Sequence, residues 1–221
     1  YTSLNERRTV MLSWGEGFKL PSFYALGNPL VGNPELENES SNSLEFRYSF
    51  ESMHWMLGIS VFRNKFKNLV DFEAGPPPSL INRDKVEITG AELQVRLLLS
   101  SALELTAFAS MLDIEVINQP TLKLRGRPES RIGLGLQWKP NSDFQLNLRA
   151  RYSGNIPDSS VPTGNIPIEP ANVLDATASY ALTPSFIVNG SLENVLGEDY
   201  QTSIGNFVQK PTMYVGFRYK L

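Results

Sequence analysis

The stretch that decides the fold is Ile132-Gly133-Leu134-Gly135-Leu136-Gln137-Trp138, then Lys139-Pro140-Asn141-Ser142-Asp143, then Phe144-Gln145-Leu146-Asn147-Leu148-Arg149-Ala150-Arg151-Tyr152. Ile132, Leu134, Leu136 and Trp138 fall on one side of a two-residue period, with Gly133, Gly135 and Gln137 on the other. After a Pro-Asn-Ser-Asp turn, Phe144, Leu146, Leu148, Ala150 and Tyr152 alternate with Gln145, Asn147, Arg149 and Arg151. Strict alternation is the period of a β-strand with one apolar face, and Pro, Asn, Ser and Asp favour tight turns. The stretch is an antiparallel hairpin.

The same pattern extends in both directions. Leu44–Phe50, Trp55–Val61, Ala91–Leu99, Leu103–Met111, Leu174–Tyr180, Phe186–Leu192 and Met213–Leu221 all alternate, and a further strand covers Thr9–Trp14. This predicts about ten strands. No charge falls on any of the apolar faces. Alternation alone also fits a soluble β-sandwich, whose apolar faces turn into a common core.

The connections separate the two architectures. Read back from Leu221, long links (Val195–Pro211, Gly154–Asn172, Ile114–Glu129, Glu73–Arg83, Gly15–Ser41) alternate with short ones (182–185, 140–143, 100–102, 52–54). A membrane barrel sorts its links in this way, tight turns at one rim and long loops at the other. Aromatic residues agree: Phe50 and Trp55, Trp138 and Phe144, and Tyr180 and Phe186 flank three short turns, with Tyr219 at the same level. That is the placement of an interfacial girdle, broken only at the Leu99/Leu103 hairpin. No helix is expected.

Composition excludes other classes. The 221 residues carry 20 Lys+Arg against 23 Asp+Glu, for a net charge of -3, so there is no electrostatic case for nucleic acid. With no Cys and one His, disulfides, thiolate chemistry and His-rich metal sites are removed. No apolar run reaches the length of a transmembrane helix. Tyr1, in place of Met, points to part of a longer chain.

Three segments resemble the TonB-dependent outer-membrane receptors. Gly15-Glu16-Gly17-Phe18-Lys19-Leu20-Pro21-Ser22-Phe23 followed by Gly32-Asn33-Pro34-Glu35-Leu36-Glu37-Asn38-Glu39 is similar to the family's loop entry and its Asn-Pro-x-Leu-x-x-Glu element. Leu192-Glu193-Asn194-Val195-Leu196-Gly197-Glu198-Asp199-Tyr200 resembles the close of the penultimate strand. The Met213–Leu221 strand is similar to the terminal signal read by the outer-membrane insertion machinery, with Leu221 where the family usually has Phe. The resemblance implies an all-β transmembrane antiparallel barrel in the bacterial outer membrane. Residues 1–221 would be its C-terminal portion, about ten of about 22 strands. The plug domain and the N-terminal strands would lie outside these residues.

It also implies a function: active uptake of a scarce chelate, a ferric siderophore first, with cobalamin or another nutrient as the alternative. The partners implied are outer-membrane lipid, the chelate, the TonB energy-coupling complex through the missing N-terminal part, and the insertion machinery through the last strand. A passive porin or adhesin barrel is the competing reading, and the Gly15–Glu39 element argues against it.

Within that barrel, Glu45, Arg47, Glu92, Arg96, Arg149, Arg151 and Arg218 point into the lumen. In the long loops, Phe23, Tyr24, Arg125, Arg127, Tyr200 and Phe207 are the expected ligand mouth, because aromatic rings and guanidinium groups suit a flat anionic chelate. His54 lies in a short turn beside Ser52 without an orienting carboxylate, so no catalytic residue and no enzyme activity are expected. Asp113, Glu115, Glu198 and Asp199 offer only oxygen ligands without calcium-loop spacing, so neither a metal site nor a cofactor is expected.

Overall fold

The computed structural model describes residues 6–207 and 210–219. Tyr1, Lys220 and Leu221, which entered the sequence reading, lie outside the described residues. Among the described residues, fourteen strands and one short helix follow in chain order. The strands are β1 (Arg7–Lys19), β2 (Glu39–Glu51), β3 (Trp55–Glu73), β4 (Ser79–Ser100), β5 (Leu103–Val116), β6 (Ser130–Trp138), β7 (Phe144–Ser153), β8 (Ile156–Ser160), β9 (Gly164–Ile168), β10 (Ala171–Thr183), β11 (Phe186–Glu193), β12 (Gln201–Ser203), β13 (Asn206–Phe207) and β14 (Thr212–Tyr219). Ten of them form one antiparallel sheet in the order β1-β2-β3-β4-β5-β6-β7-β10-β11-β14. The pairs β8–β9 and β12–β13 are small hairpins within two long links. All ten expected strands are present, and each pairs with its sequence neighbour in the sheet.

Register joins the apolar faces. Val10, Tyr48, Ile59, Leu93, Ala109, Ile132 and Tyr152 form one continuous cross-strand row. Trp55, Leu97, Leu105, Leu136, Leu148, Ala176, Leu192 and Met213 form another. Faces read strand by strand therefore coincide on one side of the sheet. That side has no second layer on it: Ile132, Leu134 and Val61 remain 47%, 55% and 47% exposed. A sandwich would bury them, whereas hydrocarbon is the solvent that such a surface requires. The sheet is a partial membrane barrel.

The short-turn end carries the aromatic girdle. Phe50 and Trp55 lie 4.2 Å apart between ring centres, Trp138 and Phe144 5.7 Å, Phe144 and Tyr180 6.5 Å, and Phe186 and Phe217 5.9 Å. The Arg8 guanidinium lies 5.6 Å over the Phe50 ring, a cation placed at the membrane boundary. The gap at the Leu99/Leu103 hairpin is narrowed by Trp138, which pairs with Leu103.

Two expectations are corrected. Residues 23–27 form a one-turn helix, α1 (Phe23–Gly27), where no helix was expected. At five residues it is too short to leave a helical period in the sequence. The link expected at Glu73–Arg83 shrinks to residues 74–78, because β3 and β4 run for 19 and 22 residues, about twice what a bilayer needs.

These extensions follow from an inversion of polarity. Outward on β3, Trp55, Leu57, Ile59 and Val61 give way to Arg63, Lys65 and Lys67, while inward Gly58 and Ser60 give way to Phe62 and Phe66. On β4 and β5 the change comes at the same level, where Ala91 and Met111 precede Thr89 and Asp113. Beyond it, Val86, Ile88, Ile114, Val116 and Leu124 form a buried core on the inward side, with Phe62, Phe66, Leu69, Leu112 and Leu122 around it. Gly90 sits where this core begins. A Cβ there would stand 2.5 Å from Phe62 Cζ and 2.8 Å from Leu112 Cδ2, so only glycine lets the Phe62 ring cross the strand.

The row assignment carries a stability prediction. Leu93→Arg, at mid-height on the apolar side, is expected to destabilise the protein in lipid vesicles by about 2–4 kcal/mol. Gln94→Arg, on the opposite side of the same strand, should cost under about 1 kcal/mol. Urea titrations of the two variants compare them directly.

Candidate functional site

The long-loop end is held together by side chains from the sequence elements singled out above. Ser22 caps α1, its hydroxyl accepting from the Ala25 N–H at 3.1 Å. Asn28 Oδ1 then accepts from the N–H groups of Leu30 and Val31, turning the chain back. Asn33 Nδ2 donates to the Leu80 carbonyl at 3.0 Å, and the Leu80 N–H donates to the Val31 carbonyl at 2.8 Å. Asn82 accepts from the Glu37 N–H and donates to the carbonyls of Glu37 and Asn68. Glu39 takes Lys19 Nζ at 3.3 Å and the Val70 N–H at 3.1 Å. The Asn33–Glu39 element is thus a strap tying the β1–β2 link to the β3–β4 arm.

Asn194 does comparable work after β11. It lies in the left-handed region (φ 52°), 3% exposed. Its Oδ1 accepts from the Glu198 N–H at 3.0 Å, its Nδ2 donates to the Glu198 carbonyl at 2.8 Å, and its own N–H donates to Asp175 Oδ1 at 3.0 Å. Asparagine tolerates this backbone and supplies both bonds, which explains its place at the close of the strand. Asp175 Oδ2 also accepts from Arg151 at 2.6 Å, so the turn fixes a lumenal arginine.

A third group anchors the 117–129 link. Arg83, 6% exposed, donates from Nε to Asp71 Oδ2 at 3.1 Å and lies 3.6 Å from Glu73. Arg125 lies 3.7 Å from Asp71 Oδ1, with its guanidinium 4.6 Å over the Phe72 ring. The Gly126 N–H donates to the Pro157 carbonyl, joining the 117–129 link to the β8–β9 hairpin, and the Ile204 N–H donates to Asp158, joining that hairpin to β12–β13. Glu129 accepts from Lys123 Nζ at 2.7 Å and holds that ammonium above the ordinary lysine range, against a smaller opposing effect of burial.

Below these loops, on the inward side of β6, β7 and β10, lies a cavity of about 570 Å³. Arg131, Arg149 and Arg151 line it with Phe108, and Tyr200, Gln201 and Thr202 close it from the β12 side. Gly133 and Gly135 stand opposite Arg151 and Arg149, leaving no β6 side chain over them. A Cβ at Gly135 would collide with Thr106 Oγ1. Neither Arg131 nor Arg149 has a carboxylate within ion-pair distance among the described residues, although Asp175 stands opposite Arg149 across β7 and β10 and Glu169 also lines the cavity, whose three arginines give it a positive bias.

Of the six expected mouth residues, Tyr200 alone lines this cavity. Phe23 and Tyr24 project from α1, 95% and 64% exposed, and Phe207 is 69% exposed on β13. Arg127 faces solvent, and Arg125 is occupied by Asp71 and Phe72. Arg149 and Arg151 were placed in the lumen by alternation. Arg131 was not, although it extends the polar phase Gly133-Gly135-Gln137 by one step.

A family model described as TonB dependent receptor-like, beta-barrel, matches residues 1–195. The chain belongs to this receptor β-barrel family. The family places it in the bacterial outer membrane, among receptors and not enzymes. It is 25% identical over 227 residues to the vitamin B12 transporter BtuB of Vibrio cholerae serotype O1, covering 96% of this chain and 34% of that protein. To the vitamin B12 transporter BtuB of Vibrio vulnificus it is 27% identical over 199 residues, covering 86% and 30%. Among solved structures, the copper transporter OprC matches with a TM-score of 0.81 at 14% identity, over 97% of this chain and 37% of that one. The ferripyoverdine receptor of Pseudomonas aeruginosa matches with a TM-score of 0.75 at 17% identity, over 96% and 31%. These last two show the fold. The chain spans about a third of the length of the relatives it matches.

Asn194→Ala removes the side-chain bonds to Glu198 and places a Cβ residue without polar compensation in the left-handed region. It is expected to cost about 2 kcal/mol in this receptor barrel. The expected signature is a lower unfolding temperature together with faster proteolysis of the 195–211 link.

Proposed function

We propose that this chain is the C-terminal portion of the barrel of an outer-membrane receptor that takes up a scarce anionic chelate, a ferric siderophore, by TonB-coupled transport. The arginine cavity carries the reading. Arg131 and Arg149 project from the lumenal wall without an ion pair among the described residues, beside Tyr200 and Phe108, with Glu169 the one acid among the lining residues. Guanidinium groups bond the oxygen donors of carboxylate and catecholate chelates, and the adjacent rings offer stacking surface. Arg151, held by Asp175, sets the shape of the wall. Phe23, Tyr24 and Phe207 stand exposed at the loop end, where they would meet ligand first, while Arg125 and Arg127 flank Gly126 in the 117–129 link, at the cavity.

Barrel anatomy supports the assignment of residues 1–221. Both β1 and β14 are sheet edges with one neighbour each among the described residues. In lipid such edges need partners, which the remaining strands of a larger barrel would supply. A plug domain and the energy-coupling contact would lie in that remainder, and β14 would serve the insertion machinery. Cobalamin uptake is the second reading, favoured by the names of the relatives aligned over most of the chain. The Asn33–Glu39 strap belongs to the stretch that resembles the receptors, which weighs against a passive porin.

The test uses a strain whose sole copy of the full-length gene carries Arg131→Gln and Arg149→Gln. Ferric-siderophore uptake should fall about tenfold or more, with barrel folding and surface levels unchanged. Unchanged iron uptake, together with loss of growth on limiting cobalamin in the gene deletion, would favour the second reading over the first.

A further inference from the structure

The inward wall of the barrel is not uniform. On one part of it, β2 presents Glu45, Arg47 and Glu51 to the lumen, and β4 presents Glu92 and Arg96. On β6, β7, β10 and β11, each bonded to a neighbour on both sides, the inward charges stop at Arg149, Asp175 and Glu193. Toward the short turns, Gln137, Asn147, Thr177 and Ser191 form the next cross-strand row, and Gln145, Ser179 and Asn189 the one after it. Neither row carries a charge. Charges border them at Glu104, opposite Gln137 on β5, and at the rim at Asp143 and Arg218. The amides are also bonded to one another: Asn147 Oδ1 accepts from Gln137 Nε2 at 3.2 Å and from Gln145 Nε2 at 3.1 Å, and Asn147 Nδ2 donates to Thr177 Oγ1 at 3.2 Å.

The arginine cavity opens onto this surface. A second cavity, of about 480 Å³, shares Thr106, Gly135 and Arg149 with it and continues down the wall to Asn147, Thr177 and Ser191. Its acids are Glu104, Asp175 and Glu193, against the one cation Arg149. The balance of charge thus reverses from one cavity to the next. An anion held by Arg131 and Arg149 meets falling attraction as it moves toward the girdle, and past the carboxylates it meets amides and hydroxyls alone. Passage requires contacts weak enough to release the solute and spread over several positions. Amides that already bond one another meet that requirement, because they leave few strong donors or acceptors to trap an oxygen-rich solute. Material packed inside the barrel would likewise find charged anchors on β2 and β4 and none on these two rows, so it separates from the wall here at least cost.

We propose that the imported solute descends from the arginine cavity along the β6–β11 wall, with Asn147, Thr177 and Ser191 lining its path and the β2–β4 wall taking no part. Asp175 and Glu193 mark the floor of the binding site and the start of the path. The inference rests on the uptake reading above and adds to it the side of the barrel that the solute follows.

The experiment measures binding and uptake separately in cells whose sole copy of the full-length receptor carries Thr177→Trp. The probes are a ferric tris-catecholate and ferric citrate, each labelled with radioactive iron. For the chelate that the unaltered receptor takes up, the variant is expected to keep its affinity within about twofold and to lose uptake about tenfold or more. Ser49→Trp makes the same change on β2, between Arg47 and Glu51, and should leave both quantities within about twofold. Ser191→Phe repeats the block on β11 and is expected to give the same split, which preserves the test if Thr177→Trp does not insert. Undiminished uptake in both groove variants, an equal loss in Ser49→Trp, or a loss of binding that accounts for the loss of uptake would each overturn the proposal. An unaltered receptor that binds neither iron chelate contradicts the siderophore reading instead, and labelled cobalamin then serves as the probe with the same split expected.

Discussion

A peptide group in hydrocarbon has no water to bond, so every amide must find its partner within the protein. In the described residues one ladder through ten strands meets the requirement for the eight inner strands, each bonded on both sides, while β1 and β14 are bonded on one side only. The ladder fixes the pleat, and the pleat sends alternate side chains to opposite faces. One face must then satisfy lipid and the other water or protein. The row from Val10 to Tyr152 and the row from Trp55 to Met213 are that lipid face, and the interfacial aromatics mark its lower limit.

The upper limit is drawn by the same ladder with the polarity exchanged. Past Val61, Ala91 and Met111 the outward side becomes charged and the inward side becomes the buried core around Val86 and Ile88. Once the strands leave hydrocarbon, apolar residues gain by packing inward, and Leu122 and Leu124 of the neighbouring link complete that packing. The loops are thus seated on a solid base. Strap, asparagine turn and the Arg83–Asp71–Arg125 group tie the loops to that base, and beneath them the lumenal wall holds two arginines outside any ion pair among the described residues.

Much of this was legible in the sequence wherever the environment repeated. Ten strands, their phases, the girdle and the side of the long loops all follow from period two and link length. Past Val61 and Ala91 the inversion breaks the alternation that identifies the strands, so the sequence marks the β3–β4 tip as a loop. The helix α1 is a single turn made by Ser22 and Asn28, with no period to detect. Loop side chains were the least legible. Arg125 and Phe23 look equivalent in sequence, yet Asp71 and Phe72, more than fifty residues upstream, occupy Arg125 while Phe23 stays open. Arg131 was within reach, one step beyond a phase already assigned.

The central claim concerns which medium each face touches, and the absence of native cysteine from residues 1–221 makes it directly measurable. Single cysteines placed in turn along β3 from Leu57 to Lys67 in the full-length receptor, spin-labelled in vesicles, report collision with oxygen dissolved in lipid and with a water-soluble nickel chelate. The account predicts oxygen access at 57, 59 and 61 alternating with protection at 58 and 60, then a switch to nickel access at 63, 65 and 67 with 62 and 66 shielded from both. Nickel access at 59 and 61, or a uniform profile without the switch after 61, would contradict it.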